Sequence, residues 1–261
     1  MPLSSKAWSA APSYGEVFYA RATGQAPEME SSKAAAKKLR GIVVPQARIL
    51  DVGCGSGHYL RSLRREFPFP FFYEGSDITP EYIALGKKAY ANDPLVRFTV
   101  ASVEELPYEP KSFDVVMCCN ILLHLPSVTN ALRELWRVTR STLLVRTQIG
   151  NSTFRIKQVP EPDVMNGKED PLFGADGEPK TCHYYNIYSE RYIRWFLGSM
   201  PDVEDVLIER DMDYDPRALG AGAWPEDAKP DDLTEVMGGW QVHKYILQPW
   251  SFLRVTRTIA S

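Results

Sequence analysis

The 261-residue sequence has little of what metal-binding, disulfide-linked or membrane-spanning proteins need. It contains four cysteines and four histidines, without a CxxC pair or a Cys/His spacing typical of zinc. No apolar run approaches the ~20 residues that a helix needs to cross a bilayer. Residues 1–15 contain no apolar segment of signal-peptide length. We therefore expect no metal, no membrane association, and a cytoplasmic protein with buried free thiols.

An excess of basic charge is also missing. The chain carries 30 Lys and Arg against 33 Asp and Glu, a formal net charge of −3 at pH 7. Nucleic-acid-binding proteins usually carry a basic face, so we expect no nucleic-acid partner. The sequence does not indicate an oligomeric state.

What the sequence does contain is an alternation of short apolar strands and helical segments. Strands are predicted at 47–52, 71–75, 96–101, 113–119 and 142–146. Strand-helix-strand repetition at this spacing implies right-handed crossovers and a parallel sheet with helices on both faces. The predicted fold class is therefore α/β, a doubly wound, mostly parallel sheet.

The segments on either side of this alternation are less regular. Residues 1–40 are predicted to form a helical N-terminal lid, in which Ser31 and Ser32 cap a helix. The remainder, 41–261, is predicted to be one domain. Two polar stretches, at about 150–188 and 211–239, are predicted insertions over the carboxyl edge of the sheet.

Regular segments are predicted between the two insertions and after the second one. A helix is predicted at 189–197 and a strand near 203–209. Residues 240–258 are predicted to contain one or two strands, interrupted at Pro249 because proline cannot donate to a ladder.

The strongest local signal is the glycine-rich segment at 53–57, between an apolar strand and a helical pattern. Glycines let the backbone approach a ligand closely, and N–H groups at a helix start favour an anion. The spacing is GxGxG, whereas a dinucleotide fingerprint is GxGxxG. Asp51 stands two residues before the first glycine. Taken alone, such a segment also fits a structural turn.

Asp77 lies 20 residues after Gly57, at the end of the second predicted strand. A carboxylate at this place can accept hydrogen bonds from both hydroxyls of a ribose. By itself Asp77 also fits the start of the next helix. The glycine segment and Asp77 together predict a nucleoside-binding site.

Four ordered segments between Ala47 and Val145 resemble the class I S-adenosylmethionine (SAM)-dependent methyltransferase family. They are the glycine segment with Asp51, the acid Asp77, the stretch 100–107, and the stretch 112–125, which resembles the family's motif IV. The resemblance implies a seven-stranded Rossmann-like fold, SAM as cofactor, and methyl transfer to a small molecule. Oxygen, nitrogen and carbon are all open as the acceptor atom, and we favour oxygen or nitrogen. The resemblance also implies these cofactor-binding residues: Tyr19, Arg21, Asp51, Gly53, Cys54, Gly55, Gly57, Asp77, Ile78, Ser102, Val103, Glu104, Cys119 and Asn120.

The chain departs from the family pattern at Ser102. Many members have an aspartate there that bonds the adenine amino group, and here the backbone N–H of Val103 is the remaining expected contact. Members that methylate nucleic-acid bases commonly carry Asn/Asp-Pro-Pro-aromatic after the fourth strand. The corresponding segment, 120–123, lacks both prolines, which favours a small-molecule acceptor.

The resemblance also indicates residues beside the acceptor. His124 and His183 are the candidate catalytic bases, although each also fits a packing role. Tyr14, Tyr184 and Tyr185 are candidate substrate-binding residues, and core packing is the alternative for all three. The same two interpretations, cofactor lid or core packing, apply to Tyr19 and Arg21.

Two other functions share parts of this pattern. A nicotinamide-dependent oxidoreductase also has a strand, a glycine turn and a distant acid, but the GxGxG spacing and the motif IV resemblance oppose it. A non-catalytic SAM-binding partner subunit is opposed by the intact glycine segment and Asp77.

Overall fold

Helices and strands alternate through the computed structural model, which describes residues 12–161, 170–215, 234–243 and 246–258. The helices are α1 Pro12–Thr23, α2 Glu30–Lys38, α3 His58–Glu66, α4 Pro80–Ala89, α5 Thr129–Val138 and α6 Glu190–Gly198, with a 3-10 turn at Leu122–His124. The strands are β1 Arg48–Val52, β2 Phe72–Asp77, β3 Val96–Val100, β4 Phe113–Cys119, β5 Thr139–Gly150, β6 Lys157–Gln158, β7 His183–Tyr184, β8 Tyr188–Ser189, β9 Val203–Arg210, β10 Thr234–Met237, β11 Trp240–His243, β12 Ile246–Gln248 and β13 Trp250–Arg257.

The central sheet has the strand order β3-β2-β1-β4-β5-β13-β9. β1 to β5 pair in parallel, and β13 is antiparallel to both of its neighbours. The two-residue strand β8 pairs with the end of β5. The predicted doubly wound, mostly parallel sheet is confirmed. Because the chain runs outward in opposite directions from β1 and β4, a crevice opens at their carboxyl ends, where such sheets bind ligands.

Apolar side chains cover both faces of this sheet. On one face, Leu132 and Leu135 of α5 pack in a cluster with Val116 of β4. On the other face, Leu60 and Leu63 of α3 pack in a second cluster with neighbouring strands. The four cysteines are free and buried, as the sequence predicted. Within the described ranges, no helix is both long and apolar enough to cross a bilayer.

The N-terminal segment differs from the prediction in its caps. Ser31 and Ser32 lie inside the first turn of α2, and Met29 is the N-cap. The prediction of serine caps was therefore wrong. Glu30 favours an earlier start because an acid is stabilised at a helix N-terminus. Ser31 instead accepts a hydrogen bond from Tyr59 at 2.9 Å.

The later segments are more strand-rich than predicted. Residues 240–258 contain three strands where one or two were expected, and Pro249 lies between β12 and β13. β10, β11 and β12 form a separate antiparallel sheet. Parts of the two predicted insertions, at 162–169 and 216–233, lie outside the described residues.

Ser189 is the N-cap of α6, and its replacement tests how much this cap contributes to stability. Its Oγ accepts a hydrogen bond from the Tyr192 backbone N–H at 3.2 Å, which makes it the N-cap. Ser189→Ala should lower the free energy of unfolding by about 1 kcal/mol, the typical loss of such a cap. Denaturant unfolding measures this. Ser152→Ala, at an exposed position, should change stability by less than half as much.

Candidate active site

The turn after β1 has a backbone shape that requires glycine. Gly53, Gly55 and Gly57 have φ angles of +77°, +56° and +78°. A Cβ on Gly53 would lie 2.3 Å from Ile121 Cγ1, and one on Gly55 would lie 2.9 Å from Phe18 Cδ2. Larger residues are therefore excluded by both conformation and space. The turn leads directly into α3, whose first N–H groups favour a negatively charged ligand group.

Asp77 closes the second side of the crevice at the end of β2. Its Oδ2 accepts from the Gly55 N–H at 3.0 Å, and its Oδ1 accepts from the Thr79 N–H at 2.9 Å. Burial raises the pKa of this carboxyl group. Each oxygen has a second lone pair, so the carboxylate can hold the glycine turn and still accept hydrogen bonds from a ligand.

A cavity of about 500 Å³ lies over the glycine turn and Asp77. This volume falls within the range of roughly 300–1,000 Å³ typical of small-molecule sites. The structure brings these predicted residues together in its lining: Tyr14, Arg21, Gly53, Gly55, Asp77, Ile78, Ser102, Val103, Glu104, Cys119, Asn120 and His124. They come from segments far apart in sequence, which meet because the carboxyl ends of β1 to β4 share one edge.

Some predicted cofactor residues lie outside the cavity lining. Asp51 is buried behind the turn and accepts a hydrogen bond from the Tyr73 hydroxyl at 2.7 Å. Burial raises its pKa to about 7. Cys54 is buried within the turn, where burial also raises the pKa of its thiol. Gly57 ends the turn, and Tyr19 lies on α1 with the Lys88 ammonium 5.0 Å from its ring centroid.

The two candidate bases occupy different places. His124 lines the cavity, whereas His183 and Tyr184 form β7, outside the cavity lining. His124 Nδ1 lies 2.9 Å from the Tyr184 carbonyl oxygen. A carbonyl can only accept, so Nδ1 carries the hydrogen and the lone pair of the neutral ring is on Nε2. The Tyr185 ring packs edge-on against His124 at 5.2 Å.

Burial keeps His124 neutral. It lowers the pKa of this imidazole to about 4, with a smaller lowering from His183 and His243. A neutral imidazole of this tautomer can accept a proton at physiological pH.

Sequence reasoning missed several residues of the cavity wall. The rings of Phe18 and His58 stack at 4.6 Å next to the glycine turn. Both residues line the cavity, as do Tyr59 and Met29. His58 and Tyr59 follow Gly57 directly, so the glycine motif could have indicated them. Phe18 gave no signal, because its role depends on how α1 packs on the turn. Across the described residues, no group of three or more His, Cys, Asp or Glu side chains is placed to hold a metal.

The ribose-binding role that the family resemblance implies for Asp77 predicts that Asp77→Ala weakens binding of S-adenosylhomocysteine by about 10- to 150-fold. A hydrogen bond to a charged group contributes about 1.5–3 kcal/mol, and 1.4 kcal/mol corresponds to a factor of ten. Isothermal titration calorimetry measures the affinity. Asp114→Ala is the matched control, because this carboxylate accepts from the Arg48 N–H and the Arg140 guanidinium at the opposite end of the sheet. Equal affinities of all three proteins would contradict the assignment of Asp77.

A sheet of this order with a glycine turn and an acid at adjacent strand tips is typical of α/β proteins that bind nucleotides. Comparison with known proteins then gives the family. Residues 50–142 match the model of a methyltransferase domain. The ubiquinone biosynthesis O-methyltransferase of Xanthomonas euvesicatoria pv. vesicatoria is 36% identical over 194 residues, which cover 73% of each chain. The chain belongs to the class I SAM-dependent methyltransferase family, and SAM is the family's cofactor.

Other similarities are more limited in extent. The demethylmenaquinone methyltransferase of Deinococcus radiodurans is 35% identical over 92 residues, and the match spans 35% of this chain and 38% of that one. Several other relatives are likewise matched over less than half of their length.

Solved structures of low sequence identity share the fold. A chain in the complex of the Haloferax volcanii Trm112 methyltransferase activator with a methyltransferase has a TM-score of 0.55 at 16% identity, covering 98% of this chain and 96% of that one. Magnesium protoporphyrin IX methyltransferase from Synechocystis PCC 6803, with bound S-adenosylhomocysteine, has a TM-score of 0.51 at 16% identity, covering 87% and 82%.

Proposed function

We propose that this protein transfers the methyl group of SAM to an oxygen or nitrogen of a small-molecule acceptor. The observation that carries the proposal is that the glycine turn, Asp77 and His124 line the same cavity. Two relatives support a small acceptor, since one is a ubiquinone biosynthesis O-methyltransferase and the other a demethylmenaquinone methyltransferase.

The residues present fit the cofactor. The start of α3, which follows the glycine turn, suits the carboxylate end of an amino acid, because the N-terminus of a helix favours negative charge. The Asp77 carboxylate suits the two ribose hydroxyls. Ser102, Val103 and Glu104 lie on the wall that follows β3, where the family places the adenine.

The N-terminal helix α1 is proposed to act as a lid over the cofactor. Ser56 Oγ donates to the Gly15 carbonyl at 3.2 Å, and Arg61 donates to the Arg21 and Ala26 carbonyls at 3.2 and 2.8 Å. Tyr14 and Arg21 extend from this segment into the cavity lining. These contacts seat α1 on the glycine turn and its helix.

The chain's contribution to the reaction is positioning and proton removal. When bound, SAM supplies a methyl group whose bond to sulfur breaks as the acceptor atom bonds to carbon. Holding the acceptor in line supplies about 7–11 kcal/mol of the barrier in well-oriented systems. His124 Nε2 accepts the hydroxyl proton as the new bond forms, when that proton becomes strongly acidic. The weak basicity of His124 is therefore sufficient for a hydroxyl acceptor, and we favour oxygen over nitrogen as the acceptor atom.

The titration of His124 gives a prediction for the pH dependence. With its pKa near 4, the imidazole is already neutral above pH 5. The methyl-transfer rate with a hydroxyl acceptor should therefore stay level from pH 6 to 8 and fall as the pH decreases through about 4. A histidine of ordinary pKa would lose activity below about 6.5. A rate profile with a midpoint near 6.5 would contradict the buried, neutral base.

The proposed function is tested with radiolabelled SAM. Binding of SAM and of NAD is compared first, and methyl transfer to a panel of hydroxyl and amine acceptors is then measured. SAM binding with transfer to at least one acceptor is expected. Binding of NAD alone would indicate an oxidoreductase, and tight SAM binding without transfer to any acceptor would indicate a partner subunit.

A further inference from the structure

Asn120, the first residue after β4, has an unusual backbone conformation. Its φ angle is +64°. Residues other than glycine rarely adopt this left-handed region, although asparagine tolerates it better than most. Such conformations persist where the surrounding structure fixes them, and they concentrate at functional sites. Asn120 lines the cavity, so its conformation contributes to the shape of the cavity wall.

The bend at Asn120 places the next residue, Ile121, against the glycine turn. A Cβ on Gly53 would lie 2.3 Å from Ile121 Cγ1, and both residues line the cavity. The Gly53 N–H donates to the Ser76 carbonyl at 2.7 Å, which ties the turn to β2. A different conformation at Asn120 would move Ile121 and change how the tip of β4 meets the tip of β1.

Three hydrogen bonds hold Asn120, and two of them come from Arg146 on the neighbouring strand β5. The Asn120 N–H donates to the Arg146 carbonyl at 2.9 Å. The Arg146 Nη1 donates to Asn120 Oδ1 at 2.5 Å. The Asn120 amide group donates to the Tyr59 hydroxyl at 3.3 Å. Both the backbone and the side chain of Asn120 are therefore fixed.

The Arg146 side chain is itself held from two sides. Its Nε donates to Asp211 Oδ2 at 2.7 Å, and its guanidinium lies 4.2 Å from the Trp250 ring centroid. The side chains of Arg146 and Asp211 are only 4% and 2% exposed. A guanidinium is planar and carries its donors in a fixed fork. Arg146 can therefore bridge Asp211 and Asn120 in one orientation.

We propose that Arg146 is a positioning residue of the cofactor site, which acts on the bound cofactor through Asn120. The proposal rests on the proposed function, because it takes the ligand of this cavity to be SAM. Arg146 lies outside the cavity lining, whereas Asn120 and Ile121 belong to it. The ion pair with Asp211 keeps the bend at Asn120 in one conformation. A wall that is held in place lowers the cost of ordering it when the ligand binds.

The variant Arg146→Met/Asp211→Asn tests this role. Both residues are changed, because removal of one partner would leave a buried charge without its counter-charge. Arg257→Met/Asp202→Asn is the matched control. Arg257 is also buried, donates to Asp202 Oδ2 at 2.8 Å and lies 4.1 Å from the Trp136 ring centroid, but at the opposite end of the sheet. Isothermal titration calorimetry measures the affinity for S-adenosylhomocysteine, and thermal unfolding measures stability.

The Arg146/Asp211 variant should bind S-adenosylhomocysteine at least about tenfold more weakly than wild type, which corresponds to about 1.4 kcal/mol. The Arg257/Asp202 control should stay within about twofold. The melting temperatures of the two variants should agree to within about 4 °C. If the Arg146/Asp211 variant does not fold, Arg146→Lys takes its place. Lysine keeps the charge opposite Asp211 and lacks the planar fork, so the same loss is expected.

Asn120→Ala separates positioning from a general loosening of the structure. Alanine has no side-chain oxygen for Arg146 and tolerates a φ of +64° less well than asparagine. This variant should also lose affinity at least about tenfold. Adding Arg146→Met/Asp211→Asn to it should change the affinity by less than about twofold, because both sets of changes remove the same restraint.

Equal affinities of wild type and the Arg146/Asp211 variant would overturn the proposal. So would an equal loss in the Arg257/Asp202 control, or losses that multiply when Asn120→Ala is combined with the Arg146/Asp211 changes. In each of these cases the wild-type protein still binds S-adenosylhomocysteine, and the proposed function is unaffected. A wild-type protein that does not bind S-adenosylhomocysteine would instead refute the proposed function itself.

Discussion

Gly53→Ala should reduce the affinity for S-adenosylhomocysteine by about a hundredfold or more. The added methyl group would lie 2.3 Å from Ile121 Cγ1 and would occupy a backbone conformation with φ +77°. Backbone strain of this kind costs about 1–3 kcal/mol, and overpacking costs about as much again. Either Ile121 or the turn must shift, and a shift of the turn disturbs the hydrogen bond from the Gly55 N–H to Asp77 that shapes the site. Calorimetry measures the affinity, and thermal unfolding measures stability separately.

Gly41→Ala is the matched control for the strain. Gly41 has a φ of +73°, and a Cβ there would meet nothing within 4 Å. This variant should lose some stability and keep its affinity within twofold. The double variant Gly53→Ala/Ile121→Ala should recover part of the lost affinity, because it restores the space. Equal affinities of Gly53→Ala and Gly41→Ala would show that the close approach at the turn does not shape the site.

His124→Gln should lower the turnover number for a hydroxyl acceptor by about 10²–10⁴-fold, the usual contribution of a positioned base. Glutamine can still donate a hydrogen bond to the Tyr184 carbonyl, so the wall of the cavity is preserved. It cannot accept a proton at neutral pH. The affinity for S-adenosylhomocysteine should stay within about twofold, which separates loss of the base from loss of the cofactor site. Transfer of the labelled methyl group measures the rate.

His183→Gln distinguishes the two histidines that the sequence offered as bases. His183 lies in β7, outside the cavity lining, and its replacement should change the rate by less than threefold. If the His124 variant retained wild-type turnover, that residue would not be the base. A neutral amine acceptor, which needs little help before attack, would then be favoured.

Most of the fold and the centre of the site could be predicted from the sequence because their signals are local. The strand before Gly53, the glycine spacing and the distance to Asp77 all lie within 30 residues of sequence. Each of these signals depends on residues that are close in sequence, so no tertiary contact is needed to recognise it. The parallel pairing of the first five strands follows from the same alternation, since strand-helix-strand connections place neighbouring strands in parallel.

The parts that could not be predicted depend on contacts between distant segments. Arg146 and Asp211 are 65 positions apart and give no joint pattern, yet they form a buried ion pair beside the cavity. Phe18 closes the glycine turn only because α1 packs there. The serine caps of α2 were predicted wrongly for a related reason. Ser31 is used in a tertiary hydrogen bond with Tyr59, and sequence patterns do not reveal such a partner.

A crystal structure with S-adenosylhomocysteine tests the central assignment most directly. We predict that the ribose hydroxyls hydrogen-bond to Asp77 at the tip of β2, and that the amino-acid end lies against residues 53–57 with the sulfur facing His124. Density for the ligand elsewhere on the protein, or a glycine turn that makes no contact with it, would contradict the account.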